Sequence, residues 1–205
     1  MCIRDSLKQE KEAEVTGVDM FPLPPGVVLD RFTQHDLNAG LPNVPIGDFE
    51  YILMLDVIEH LLAPEDFMIR LHDALSRQPD AKLILSTGNV GFFVTRLMLL
   101  LGQFNYGKRG ILDMTHTRLF TFTSLRRLLE QSGFRIAEFR GVPGPFPLAM
   151  GGSPLSRLLL RINKALIWVS RGMFSYQIFA VAQPVPSLDY LLENAETQSS
   201  VRAQK

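Results

Sequence analysis

The stretch DFEYILMLDVIEHL, residues 48–61, decides the fold. Its first half, FEYILML at 49–55, is an almost unbroken apolar run. A strand with one wet face would alternate. A run without alternation reads as a strand covered on both faces, as in parallel sheets sandwiched by helices. The second half sets three ionisable side chains, Asp56, Glu59 and His60, directly after the strand's carboxyl end. Open α/β sheets bind their ligands at that end.

The same alternation continues on both sides. Residues 64–77 form a helix, with Phe67, Leu71, Ala74 and Leu75 at helical spacing and Pro64 and Glu65 near its start. A strand follows at 81–86 (AKLILS), then an apolar helix at 92–101. Thr123 opens a further helix (TSLRRLLEQSGF), capped by Thr or Ser and stopped by Gly133. Residues 134–139 form a strand, 155–170 an amphipathic helix and 174–182 a last strand whose direction the pattern leaves open. Toward the N-terminus, 14–19 (EVTGVD) is a short strand ending on Asp19 and 27–33 a second one, followed by HDLN at 35–38. Between them the prolines of FPLPPG, residues 21–26, enforce a loop. Strands alternating with helices imply an α/β layered sheet. The polar segment 187–205 is expected to fray into a flexible tail.

Composition narrows the function. The 205 residues suit one domain, 46% hydrophobic and 20% charged. Lys and Arg total 21, as do Asp and Glu, and this zero balance argues against a general nucleic-acid binder. Cys2 is the single cysteine, so no internal disulfide forms, which fits a cytoplasmic setting. His35, His60, His72 and His116 are scattered and no cysteine stands at ligand spacing, so no metal site is expected. No uncharged apolar stretch reaches the roughly 18 residues of a membrane span, and no secretory signal pattern is present.

Three blocks, EVTGVDM (14–20), DFEYILMLDVIEHL (48–61) and THTRLFTFTSLRRLLEQSGF (115–134), occur in the order found in class I S-adenosylmethionine-dependent methyltransferases, and the chain resembles that family over 14–184. Residues 89–120 resemble a bacterial subgroup often found with, or fused to, glycosyltransferases. The resemblance implies a Rossmann-like, mostly parallel sheet with helices on both faces. It implies S-adenosyl-L-methionine as cofactor, and transfer of its methyl group, most simply to oxygen, on a small-molecule or saccharide acceptor. Carried over residue by residue, Asp19 takes the ribose hydroxyls with Met20 beside it. Asp36 takes the adenine amino group, Leu37 flanks the ring, and Leu55 borders the cofactor. Each has a plainer reading: a turn for Asp19, an Asx turn for Asp36 and core packing for Leu55. His60 faces the methyl-transfer site or caps the next helix. His116 and Asp113, in the loop NYGKRGILDMTH (105–116), are candidates for the general base, against a hydrogen-bonded lid without chemistry. Lys108 and Arg109 contact an acceptor phosphate or form a solvated basic turn.

The chain departs from the family in three places. The first glycine is Gly17, so no glycine-rich turn precedes Asp19. The leader MCIRDS resembles nothing in the family. The prolines at 22–25 replace a helix. These departures divide the chain into a leader (1–13), a methyltransferase domain (14–186) lacking its first strand and glycine-rich loop, and the tail. Such a domain is expected to bind the cofactor weakly or not at all. A non-catalytic module of methyltransferase shape and a nicotinamide-dependent dehydrogenase are the rival readings. In 155–171, Arg157, Arg161, Lys164 and Arg171 recur opposite Leu158, Leu159, Ile162 and Leu166, the pattern of a helix lying on an anionic membrane or of a sheet-covering helix with a solvated basic face.

Overall fold

The computed structural model describes residues 13–147 and 151–203, so the leader apart from Ala13 lies outside the described residues. The chain forms two compact units, 1–46 and 47–205.

In the first unit, β1 (Thr16–Asp19) pairs in parallel with β2 (Arg31–Gln34), Asp19 standing opposite Gln34. The proline-rich connection is a loop, as its composition requires. It folds Leu29 so closely over β1 that a side chain at Gly17 would lie 2.5 Å from Leu29 Cδ1. The second strand starts later than the sequence pattern suggests. Asp30 turns its carboxylate back onto the Val15 amide (2.9 Å), and the ladder begins only beyond it.

The second unit holds a four-stranded sheet of order β3-β4-β6-β5. Strand β3 (Tyr51–Leu55) runs parallel to β4 (Lys82–Gly88). The last strand, β6 (Gln177–Pro184), inserts antiparallel between β4 and β5 (Phe134–Val142). Alternate residues of β6 are buried, and Ile178, Ala180 and Ala182 are wholly so. They share one face of the strand, which is therefore the covered face. Among the described residues, no strand joins the two sheets.

Helix α1 (Pro64–Leu75) buries Phe67, Met68, Leu71 and Leu75, the stripe its spacing announces. α2 (Phe93–Leu100) follows β4. α3 (Phe122–Gln131) begins one residue earlier than expected, because its cap is Thr121. The Thr121 hydroxyl accepts from the Ser124 amide while the Ser124 hydroxyl accepts from the Thr121 amide, a reciprocal capping box. Gly133 ends that run at φ +85°, and a Cβ there would stand 2.7 Å from the His72 ring, so glycine is required twice over. α4 (Pro154–Val169) and the single-turn α5 (Arg171–Phe174) precede β6. The polar segment expected to fray is instead helical, α6 (Leu188–Ala203), tied to the domain by an Arg77–Glu193 ion pair of 3.0 Å. Its Leu, Glu, Ala and Gln content, without internal Gly or Pro, favours helix.

Of the two sequence readings of α4, its faces contradict the sheet-covering helix with a solvated basic face. The buried residues are polar, Ser156 and Asn163, whereas Leu158 and Ile162 are exposed beside Arg157, Arg161 and Lys164. Asn163 explains the inversion. Its amide donates to Phe174 O (2.9 Å) and accepts from the Gly144 amide (3.0 Å), stapling the exit of β5 to α5. Replacing Asn163 with Ala leaves both backbone groups without that partner, and urea unfolding should show a loss of about 1–3 kcal/mol. An unchanged midpoint would mean that the staple carries no load.

Candidate functional site

A cleft of about 300 Å³ opens beyond the carboxyl ends of β3 and β4. Four segments line it, the end of β4 contributing Gly88. Residues after β3 supply Asp56, Glu59 and His60; the loop before α3 supplies Arg109, Ile111, Asp113 and His116; the entry to β6 supplies Tyr176 and Gln177. Two of these segments are joined backbone to backbone. Glu59 O accepts from the amides of Thr117 (2.9 Å) and Arg118 (3.1 Å) and from the Thr117 hydroxyl (3.1 Å). This junction brings His60 and His116 edge to face, with ring centroids 4.8 Å apart.

Both imidazoles are oriented in the same way. His60 Nδ1 lies 3.1 Å from Thr115 O and His116 Nδ1 lies 3.0 Å from Ile111 O. A nitrogen facing a carbonyl must carry the proton, so each neutral ring keeps its lone pair on Nε2. Asp113 is committed differently. Its Oδ1 accepts from the Thr115 amide (2.8 Å) and hydroxyl (2.7 Å), and these bonds hold its carboxyl below the usual range. It is a fixed anion beside the imidazoles and a poor proton acceptor.

Glu59 is the buried acid of the site, only 2% exposed. Loss of hydration pushes its pKa up, against partial relief from its own backbone and from Thr87. Thr87 lies near the Glu59 carboxyl, but neither Glu59 Oε2 nor Thr87 Oγ1 completes a hydrogen bond of good geometry. Asp56 has the left-handed backbone, φ 53°, that Asp tolerates better than most residues. Its carboxylate is clamped by Gln177 Nε2 (2.9 and 3.0 Å) and by the Ser86 hydroxyl (3.1 Å). Burial and the Asp56 charge push the Tyr176 phenol up.

Of the residues expected to hold cofactor, four lie in the first unit. Asp19 ends β1 and Asp36 follows β2, both at the carboxyl end of the parallel pair. Each shows the turn geometry of the plainer reading. Asp19 Oδ1 accepts from the Phe21 amide (3.0 Å), and Asp36 Oδ1 accepts from the Asn38 amide (2.9 Å) as the cap of a short 3-10 turn that includes Leu37. A carboxylate has about four acceptor positions, so at Asp36 this geometry leaves room for a further amino donor. Met20 is exposed and its carbonyl accepts from Gln34 Nε2 (3.0 Å). Leu55 ends β3 in the second unit, half-buried. Among the described residues, no group of three or more His, Cys, Asp or Glu could hold a metal ion.

Gln177 and Tyr176 were not singled out in the sequence. The signal was a glutamine at the head of an otherwise apolar strand, but its partner Asp56 is 121 residues away. Arg109 does line the cleft, as an exposed guanidinium.

The fold is a Rossmann-like layered α/β sheet with a cleft at its strand ends, and sequence comparison supplies the class. The model of the methyltransferase-domain family matches residues 5–138, and this chain belongs to that family. Membership removes the dehydrogenase reading. No curated protein matches the chain in sequence. Among solved structures, the chain is similar to one in a Haloferax volcanii complex between the Trm112 methyltransferase activator and a methyltransferase (TM-score 0.52, 14% identity, 89% of this chain and 76% of that one). It is also similar to a SAM-dependent methyltransferase from Archaeoglobus fulgidus (TM-score 0.50, 15% identity, 87% and 79%). At such identities these likenesses concern the fold alone.

Glu59 gives a test of the site's electrostatics. A carboxyl whose pKa is raised on folding binds its proton more tightly in the folded chain, so its burial costs nothing at low pH. The cost grows as pH rises above the usual carboxylate range. Glu59→Gln should therefore melt about 2–4 °C higher than the native chain at pH 8 and at the same temperature near pH 4. A variant less stable at pH 8 would show that the charged form is the one the fold accommodates.

Proposed function

We propose that this chain is an S-adenosylmethionine-dependent methyltransferase that acts on a hydroxyl of a small-molecule or saccharide acceptor, with His116 as general base and His60 as its partner. The observation that carries the reading is the pair of imidazoles in one cleft, each locked through Nδ1 onto a carbonyl so that Nε2 is the atom available to a proton. When bound, S-adenosylmethionine supplies a sulfonium-activated methyl group. The family resemblance assigns its ribose to Asp19 and its adenine to Asp36, with Met20 and Leu37 as apolar neighbours in the first unit, and it assigns Leu55 of the second unit to the cofactor's border. The carboxylates suit those hydroxyl and amino donors in chemical type.

The protein's own work is to position the acceptor and move one proton. His116 Nε2 takes the acceptor's hydroxyl proton, and Asp113, held anionic by Thr115, balances the imidazolium that results. Asp56, pinned by Gln177 and Ser86, offers a fixed acceptor to a second hydroxyl of the same molecule. Holding the acceptor in line supplies much of the remaining rate. The cleft contains acids and imidazoles but one cationic side chain, Arg109, which suits a polyhydroxylated acceptor better than a nucleic acid. Association with a glycosyltransferase rests on the resemblance of residues 89–120 and agrees with a saccharide acceptor.

Two separate sheets and the absence of any Gly-x-Gly sequence among the described residues favour a second reading, a methyltransferase-shaped module that binds without catalysis. Titration calorimetry with S-adenosylhomocysteine separates the two. Catalytic competence requires saturable binding, expected to be weak, on the order of 1 mM or about −4 kcal/mol, and lost in Asp19→Ala. No saturable heat at any concentration overturns the donor assignment and leaves the module.

For methyl transfer to a panel of sugars, His116→Ala should lower kcat by about 10²–10⁴. A full rate in that variant would assign the chemistry to positioning alone.

A further inference from the structure

Two helices of the second unit turn their apolar side chains toward solvent. In α4, Leu155, Leu158, Ile162 and Val169 are exposed at helical spacing, with Trp168 at 91% exposure, while the polar Ser156 and Asn163 are buried. In α2, Thr95 is the buried residue, and Leu97, Leu99 and Leu100 are exposed, Leu100 at 82%. The two helices meet through α5. Phe93 of α2 lies against Phe174 of α5, with ring centroids 5.9 Å apart, and α5 begins two residues after α4 ends. So much exposed apolar surface on neighbouring helices marks an interaction face.

Charge says what covers it. The chain is neutral overall, yet residues 81–112 and 139–188 contain nine of its 21 cationic side chains and none of its 21 acids. All the acids lie elsewhere, against the remaining twelve cations. Arg157, Arg161 and Lys164 flank the exposed stripe of α4, and no carboxylate pairs with them among the described residues. A second copy of this chain would bring cations against cations. A negatively charged lipid surface matches both properties, with the aliphatic and indole groups at the acyl boundary and the cations among the headgroups. No described helix is long and apolar enough to cross a membrane, so the contact is peripheral.

We propose that α2 and α4 form a docking face for an anionic phospholipid bilayer, with Trp168, Leu158, Ile162 and Leu100 entering the interface and Arg157, Arg161 and Lys164 contacting the headgroups. This proposal is independent of the methyl-transfer reading.

Trp168 is the only tryptophan, so its fluorescence reports on this face directly. The full chain is mixed with vesicles of phosphatidylglycerol in phosphatidylcholine, and with vesicles of phosphatidylcholine alone. Flotation with the anionic vesicles and a blue-shifted Trp168 emission quenched by brominated acyl chains are expected, both weakening as salt rises. Each cation near such a surface is worth about fivefold in partitioning, so the triple variant R157Q/R161Q/K164Q should bind about a hundredfold more weakly. Its side chains are exposed, and an unchanged circular dichroism spectrum would exclude misfolding. A second variant, L97S/L100S, should also lose partitioning while keeping its salt dependence. The proposal is overturned by unshifted emission with anionic vesicles, by equal binding to neutral ones or by native affinity in the triple variant. It is also overturned by a blue shift that grows with protein concentration without lipid, which would assign the face to self-association.

Discussion

The site depends on one carbonyl. Glu59 O accepts three hydrogen bonds from Thr117 and Arg118, and through it the turn after β3 is fastened to a loop that begins more than forty residues later. His60 and His116 meet because of it. So does the burial of Glu59, whose side chain is carried inward by the turn that presents its carbonyl outward. A salt bridge from Arg118 to Glu65 at the start of α1 reinforces the junction from the solvent side and holds the Glu65 carboxyl below the usual range. The site therefore stands on backbone geometry, and the side chains that do chemistry are displayed by it.

A second constraint lies in β6. It runs against β4 and β5, and its first residues carry Tyr176 and Gln177 to the cleft. A parallel strand in that place would have delivered its opposite end. The antiparallel insertion thus determines which residues clamp Asp56, and the left-handed backbone of Asp56 is the strain accepted for that arrangement.

The sequence disclosed the layered α/β architecture because its decisive signals are local. The apolar run at 49–55, the spacing within 64–77 and the Gly133 stop each depend on a few neighbours, and strands and helices appear close to where those signals place them, although β3, at the edge of its sheet, leaves Tyr51 and Leu53 exposed where the run implied cover on both faces. Within the site, His60, Asp113 and His116 were legible as ionisable groups in segments after strand ends, and they line one cleft. The Asp56–Gln177 clamp was not, since its partners are remote in sequence and nothing local ties them together. Which face α4 turns inward was left open for a related reason. Periodicity reports that a helix has two faces, but Asn163 takes the inner one because two distant backbone groups need it. The polar C-terminal segment misled in the opposite sense, its composition suiting an exposed helix as well as a coil.

The position of β6 also governs how the chain is able to fold. It is the last strand in sequence yet occupies the interior of its sheet, pairing Ser86 with Phe179 across more than ninety residues. Until it arrives, β4 and β5 each present an open edge with no partner between them. During synthesis, residues 82–142 must leave the ribosome and wait for the strand that joins them, an interval in which exposed strand edges attract one another or a chaperone. Long-range closure of this kind is slow relative to helix formation. The helices of this protein are thus expected to be present early, surrounding a sheet whose centre is filled last.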